Sequence, residues 1–161
     1  MDRSDAIWIL IMHPTAVVRR GLRSRLSVDP SLIIVGEASS PVAGLRLARR
    51  TVPDVLLVNA QPGQDGWPAE LRAFRDEIPG CRFVLIGGGL DAGAVLRWTD
   101  AGAVGFVSPD AELDDLLLAI RAARGGCLTL SGEVARIVLP RIPRRLTGQR
   151  KATREAETAS L

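Results

Sequence analysis

The sequence contains few of the residues on which common enzyme and membrane functions depend. Its two cysteines, Cys81 and Cys127, form no C-x-x-C pair, which excludes a disulfide framework and favours buried reduced thiols. Its single histidine, His13, cannot supply a multi-histidine metal site. No apolar run is long enough to span a bilayer, and the charged N-terminus excludes a secretory signal. We therefore expect a cytoplasmic protein that does not contact a membrane.

Nucleotide-binding motifs are also missing. Gly87-Gly88-Gly89 is not followed by the Gly-Lys-Ser/Thr of a Walker loop, and the first apolar run lacks the G-x-G-x-x-G turn of dinucleotide-binding domains. No acid/base pair stands at the end of a predicted strand. We predict that the chain is not an enzyme and that it holds neither a cofactor nor a metal ion.

The positive charge is concentrated near the end of the sequence. The net charge is +3, and residues 141–161 carry six basic side chains against two acidic ones, so the rest of the chain is nearly neutral. A basic segment could contact phosphate groups, but its composition is also that of a solvated, flexible tail, which is the interpretation that we favour.

Apolar runs of strand length alternate with segments of helical periodicity through the first 127 residues. Continuous apolar strands separated by helices indicate a parallel, doubly wound α/β sheet with right-handed crossovers. A short extra helix carrying Val134, Ile137 and Val138 is expected after Ser131 and should end at Pro140. Strands are predicted at 6–12, 32–35, 55–58, 83–86 and 105–107, and helices at 15–26, 41–51, 67–78, 91–101 and 112–124, the last one capped near Asp110.

The stretch from Pro53 to Gly66 is where a reactive group is expected. An apolar strand ends on Asn59, and a turn rich in proline and glycine follows it. In an open α/β sheet, ligands bind at the carboxyl ends of such strands. The side chain at this position is an amide and not a carboxylate, so any chemistry would require groups from the other strand ends.

Several short motifs occur in a fixed order along the chain. They are His13-Pro14, Arg20-Gly21-Leu22, Val35-Gly36-Glu37-Ala38, Pro53-Asp54-Val55-Leu56-Leu57, Pro62-Gly63-Gln64-Asp65-Gly66, Ala101-Gly102-Ala103-Val104-Gly105-Phe106 and Ala119-Ile120-Arg121-Ala122. In this order they resemble the receiver domain of two-component response regulators, above all its NarL/FixJ (LuxR-type) branch. The resemblance covers about residues 6–127 and implies a flavodoxin/CheY-like (βα)5 fold with strand order 2-1-3-4-5.

Receivers of this family transfer a phosphoryl group from a histidine kinase to an aspartate with the help of a magnesium ion. The resemblance places Ile11 and Met12 at the acidic metal-binding pair, Asn59 at the phospho-acceptor, Gly87 at the hydroxyl and Pro109 at the lysine. Apolar side chains cannot ligate a hard cation, and an amide has no anionic oxygen for nucleophilic attack. The turn after Asn59 is also one residue shorter than is usual in the family. We therefore expect a receiver-like domain that does not take part in phosphoryl transfer.

These replacements should also change how the domain switches. The loss of clustered carboxylates removes like-charge repulsion and adds apolar surface, so the fold should keep one state without magnesium. Phe106 stands at the aromatic switch position of the family. Because Gly87 has no hydroxyl to draw this ring inward, we expect Phe106 to be an ordinary packing residue.

Three functions remain open from the sequence. The first is a phosphorylation-independent regulatory module of a LuxR-type transcription factor, with a receiver-like domain at 1–127, a linker helix at 128–140 and a basic tail at 141–161 leading to a helix-turn-helix domain outside this sequence. The second is a small-molecule sensor with a pocket in the vacated site, unless Met12 and its neighbours fill that space. The third is a stand-alone protein-interaction module. Trp98 is expected as a further pocket residue beside those around the vacated site, which are Ile11, Met12, His13, Asn59, Gly87 and Pro109.

The first and fifth predicted helices carry charges of opposite sign. Arg19, Arg23 and Arg25 lie on the first, and Asp114 and Asp115 lie on the fifth. Such charges would be complementary across a two-fold contact. We predict a homodimer through these faces, with two solvated faces as the plain alternative.

Overall fold

The computed structural model describes residues 3–60, 67–130 and 132–141. Its strands are β1 (Ile7–Met12), β2 (Leu32–Ala38), β3 (Val55–Ala60), β4 (Arg82–Gly87), β5 (Ala103–Val107) and β6 (Thr129–Leu130). Its helices are α1 (Ala16–Leu26), α2 (Pro41–Thr51), α3 (Trp67–Glu77), α4 (Ala92–Ala101), α5 (Leu113–Arg124) and α6 (Gly132–Val138), with short 3-10 turns at Arg3–Asp5 and Leu139–Arg141. The predicted turn at 61–66, the cap at Ser131 and the tail beyond residue 141 lie outside the described residues.

The strands form a single parallel sheet in the order β2-β1-β3-β4-β5-β6. The predicted doubly wound sheet with strand order 2-1-3-4-5 is confirmed, and β6 extends it beyond β5. The hydrophobic pattern does not predict β6, because two residues are too few to show a period.

The sheet is covered by helices on both faces, because alternate residues of a strand point in opposite directions. On one face, Leu56 and Val58 of β3 pack with residues of α2, α3, α4 and α6. On the other face, Val55 and Leu57 pack with residues of α1 and α5. Each large side chain buried in this way stabilises the fold by about 1.5–3 kcal/mol. Because both faces of the central strands are covered, these strands are apolar at nearly every position.

The segment after α5 packs against the domain. Thr129 and Leu130 of β6 pair with Gly105 and Phe106 of β5, and Val134 and Val138 of α6 are buried in the core that contains α4. The predicted extra helix is thus confirmed, and part of the stretch predicted as a linker contributes to the core.

The fifth helix begins later than its predicted cap. Asp110 lies in a turn. Its backbone N–H donates to Ser108 Oγ at 3.4 Å, and the N–H of Ala111 donates to the backbone oxygen of Ser108 at 3.0 Å. This turn takes the residues before α5 out of helical geometry, so Glu112 is the residue that precedes the helix. At α4 the expected cap is present, because Asp91 accepts a hydrogen bond from the N–H of Ala94 at 2.7 Å.

Two predictions about burial need correction. Cys81 is buried as expected, but Cys127 is exposed, because it follows the glycine pair that ends α5 at the surface. On α1, the apolar residues of the sequence pattern are not all turned toward the sheet, and Val17 is 76% exposed. Within the described residues, no helix combines the length and apolar composition needed to cross a bilayer.

Candidate functional site

Asn59 lies at the carboxyl end of β3, near the centre of the sheet. β3 pairs with β1 on one side and with β4 on the other, where Asn59 stands opposite Ile86 and Ala60 stands opposite Gly87. Because Leu57 belongs to the core beneath α1 and α5, strand alternation points Asn59 toward those two helices as well. The position expected to hold a reactive group therefore faces the space between α1 and α5.

A cavity of about 650 Å³ occupies this space. Its floor comes from the ends of β3, β4 and β5, and its walls come from α1 and the start of α5. The volume falls in the range of small-molecule sites, which is about 300–1,000 Å³. The residues that line it are His13, Val18, Gly21, Leu22, Arg25, Leu57, Val58, Asn59, Ala60, Ile86, Gly88, Val107, Ser108, Pro109, Ala111 and Leu116.

Asn59 lines this cavity and carries a buried, unpaired donor. Its Nδ2 atom is buried and has no hydrogen-bond partner, one of two such side-chain atoms among the described residues. A buried polar atom without a partner costs about 1–3 kcal/mol. The amide thus carries an unmet requirement for an acceptor at the point where the strand ends open into the cavity.

His13 is held as a neutral imidazole beside the cavity. Its Nδ1 atom accepts a hydrogen bond from the backbone N–H of Thr15 at 2.9 Å, which leaves the proton on Nε2. Burial lowers the pKa of His13 below its ordinary value, and the positive charge of Arg19 acts in the same direction. His13 is therefore a hydrogen-bond donor that carries no charge near neutral pH.

Among the described residues that line the cavity, Arg25 of α1 is the one with a charged side chain. Its guanidinium donates to the backbone oxygen of Ala111 at 3.1 Å and so ties α1 to the loop before α5. No aspartate or glutamate is among the described residues that line the cavity. Positive charge without a balancing carboxylate gives the cavity a field that favours anions.

The described residues at this edge do not fit a magnesium ion. Magnesium is held by carboxylates, and in the described ranges no group of three or more His, Cys, Asp or Glu side chains is placed to hold a metal. Ile11 and Met12 are both fully buried among apolar side chains, in the two cores on opposite faces of the sheet. Neither of these side chains offers an oxygen ligand.

The structure brings together only some of the residues predicted for a pocket. His13, Asn59 and Pro109 line the cavity, whereas Ile11, Met12, Gly87 and Trp98 are not among its lining residues. Met12 points to the opposite face, where its sulfur would be 3.0 Å from a Cβ on Gly44 of α2. Trp98, which is only 4% exposed, also packs on that face. The prediction of Met12 and Trp98 as pocket residues is wrong, because the alternation of the strands and the side on which α4 packs separate them from Asn59.

Other cavity residues were missed by sequence reasoning, notably Gly21 and Leu22 of α1 and Leu116 of α5. A glycine in the middle of a helix was an available signal, because it leaves a gap in the wall where other residues would place a side chain. A Cβ on Gly21 would meet no atom within 4 Å, which confirms that this gap is open space.

The remaining predicted residues occupy defined positions. Phe106 is buried in the core that contains α4. Arg23 forms an ion pair with Glu37 of β2 at 2.9 Å, and Arg19 donates to the backbone oxygen of His13 at 2.7 Å. These arginines of the proposed dimer face thus already bind groups of their own chain. Asp114 and Asp115 are exposed in the first turn of α5, where they complement the helix dipole.

Comparisons with known proteins agree with this fold. The chain is 31% identical over 137 residues to the transcriptional regulatory protein LiaR of Bacillus subtilis (strain 168), covering 84% of this chain and 64% of LiaR. It is 30% identical over 132 residues to the nitrate/nitrite response regulator protein NarL of Escherichia coli (strain K12), covering 81% of this chain and 61% of NarL. No family model matches the sequence.

A solved structure of a response regulator has the same fold. The crystal structure of a LuxR-family two-component response regulator from Aurantimonas sp. SI85-9A1 superposes with a TM-score of 0.75 at 25% identity, covering 84% of this chain and 96% of that one. These proteins are named as regulators and not as enzymes. The chain spans a little under two thirds of the curated relatives that it matches. The described part of this chain is a receiver domain of the NarL/LiaR type, homologous to LuxR-family response regulators.

Proposed function

We propose that this receiver domain regulates without accepting a phosphoryl group and without binding magnesium. The observation that carries the proposal is the composition of its carboxyl edge, where Asn59, His13, Arg25, Ser108 and apolar residues line a cavity that has no described carboxylate. Phosphoryl transfer needs a nucleophile, a metal and cations for the phosphoryl oxygens. The residues at the corresponding positions supply none of these groups.

In the whole protein, we propose that the domain controls a transcription factor. LiaR is named as a transcriptional regulatory protein, and this chain covers 64% of its length. DNA would then be contacted by a C-terminal domain outside this sequence, and the protein would act in the cytoplasm. Expression of the full-length gene product and a footprint of DNA fragments from its own operon test this part of the proposal.

The domain is further proposed to act as a homodimer through α1 and α5. Each helix exposes apolar side chains, with Val17 at 76% and Leu118 at 64% exposure. Burial of such residues in a two-fold contact would remove apolar surface from water. Leu118→Glu should weaken the dimer in sedimentation experiments, whereas Val42→Glu on the other side of the domain should not. A monomer at high concentration, before any substitution, would contradict this part of the proposal.

Thermal unfolding tests the proposal that the domain does not bind magnesium. A ligand that binds only the native state must raise the melting temperature. We expect no change in the melting temperature of this protein with about 10 mM magnesium, alone or together with beryllofluoride as a phosphoryl mimic. A saturable increase with magnesium and beryllofluoride would contradict the proposal.

A second candidate function is the sensing of a small molecule. It is favoured by the cavity of about 650 Å³ and by Asn59, a lining residue whose buried Nδ2 atom has no partner. A ligand that bridges α1, α5 and the strand ends would change the stability or the relative position of the two helices that are proposed to dimerise. Such a ligand would take the regulatory place of the phosphoryl group.

A further inference from the structure

We propose that the cavity between α1 and α5 binds a small organic carboxylate with an apolar body, and that Asn59 donates a hydrogen bond to its acid group. This inference rests on the second candidate function and names the class of ligand. It does not depend on whether the domain accepts a phosphoryl group.

The apolar part of the ligand is indicated by the walls of the cavity. Leu57, Ile86 and Val107 come from three adjacent strands, and Leu22 and Leu116 face them from the two helices. Burial of an apolar ligand against such side chains contributes about 25 cal/mol per Å² of surface removed from water. A ligand made only of polar groups would leave these walls without a partner.

The acid group is indicated by the polar residues of the cavity. Asn59 offers a buried N–H without an acceptor, and His13 offers an N–H because its other ring nitrogen already accepts from Thr15. Arg25 supplies the one positive charge among the described lining residues, with no carboxylate to balance it. Donors and a cation recognise an acceptor that carries negative charge. The described lining residues offer an organic cation no carboxylate.

The opening beside α1 gives the ligand room. Gly21 lines the cavity, and a Cβ at this position would meet nothing within 4 Å. Because glycine in the middle of a helix is destabilising by about 0.5–1 kcal/mol relative to alanine, a larger residue would make α1 more stable and would narrow the cavity at the same time. This position therefore allows the cavity to be closed without disturbing the fold.

The sequence permits a direct observation of the proposed contact, because Asn59 is its only asparagine. In a sample labelled with ¹⁵N-asparagine, the side-chain NH₂ signals of the full chain report on Asn59 alone. Octanoate and decanoate are the probes, and octylamine and decylamine are matched cations of equal length. We expect saturable shifts of the NH₂ signals with the acids, and an affinity at least about tenfold above that of the amines, a difference of about 1.4 kcal/mol.

Variants locate the binding site. Gly21→Leu should abolish the shifts by filling the cavity, whereas Gly21→Ala, its matched control, should keep them. Asn59→Asp lacks the reporter amide, so its binding is followed by thermal unfolding; charge repulsion should abolish the rise in melting temperature that the acids cause in the unchanged sequence. Circular dichroism would confirm that each variant is folded. The absence of shifts with either acid, equal affinity for acids and amines, or binding unchanged in folded Gly21→Leu would each overturn the inference. None of these results bears on magnesium or phosphoryl transfer, so the proposed function is judged separately.

Discussion

A Cβ atom on Gly87 would lie 2.3 Å from the backbone oxygen of Ala60, its partner across the β3–β4 ladder. No real Cβ atom approaches a backbone oxygen so closely, so a side chain at this position requires one of the two strands to move. The resemblance to receivers implies a residue with a hydroxyl at this position. The absence of a side chain at Gly87 therefore allows the backbones of β3 and β4 to lie closer together than a serine or threonine would permit.

Gly87→Ser is expected to destabilise the domain by at least about 2 kcal/mol, because the new side chain must displace the backbone in the centre of the sheet. Gly80→Ser is the control, since a Cβ on Gly80 meets no atom within 4 Å. Urea unfolding of both variants measures the difference. Equal stability of the two variants would show that β3 and β4 are not as close as described.

Stability should fall as the pH decreases below about 6.5, because of His13. Burial lowers the pKa of its ring in the folded state from the ordinary 6.5, so the unfolded chain binds a proton in this range and the folded chain does not. The free energy of unfolding therefore decreases as the pH falls from 6.5 to the pKa of the folded state. Below that pKa, His13 contributes no further change. Urea unfolding at a series of pH values measures this effect.

His13→Asn provides the comparison, because the asparagine oxygen can still accept from the N–H of Thr15 but does not titrate. The decrease in stability between about pH 6.5 and 5 should be smaller in this variant. His13 is the only histidine, so its pKa can also be read directly from the ring signals in proton NMR. A folded-state pKa above 6.5 would contradict the described environment of the ring.

Gly21→Ala should raise the free energy of unfolding by about 0.5–1 kcal/mol. The residue lies within α1, its φ is not positive, and the added methyl group meets no atom. The gain comes from the reduced freedom of the unfolded chain and from the higher helix propensity of alanine. A decrease in stability, measured by urea unfolding, would mean that the space beside Gly21 is filled by other atoms.

Much of the fold could be predicted from the sequence because it depends on local patterns. Continuous apolar runs such as that of β1 mark strands covered on both faces, and proline and glycine mark their ends. β6 gives no such signal, since its two residues form a strand only because β5 offers a free edge. The cap of α5 differs from its prediction for a related reason, because Ser108 holds Asp110 in a turn through contacts that residue type does not reveal.

The candidate site was predicted in part. The end of β3 and the residue after β1 follow from strand pattern alone, and Asn59 and His13 do line the cavity. Which face of the sheet is hollow depends on how closely each helix packs, and this cannot be derived from periodicity. Met12 is predicted for the pocket because the resemblance places it at the acidic pair, and Trp98 because it is an aromatic residue on the fourth helix. Packing places both on the opposite face of the sheet.

Mass spectrometry of the intact protein after incubation with acetyl phosphate and magnesium tests most directly whether the domain accepts a phosphoryl group. We predict that the mass of the protein remains unchanged. We predict the same for Asn59→Asp, because a carboxylate at this position still lacks the acidic pair, the hydroxyl and the lysine at Ile11, Met12, Gly87 and Pro109. Stoichiometric addition of one phosphoryl group to the unmodified sequence would contradict the central claim.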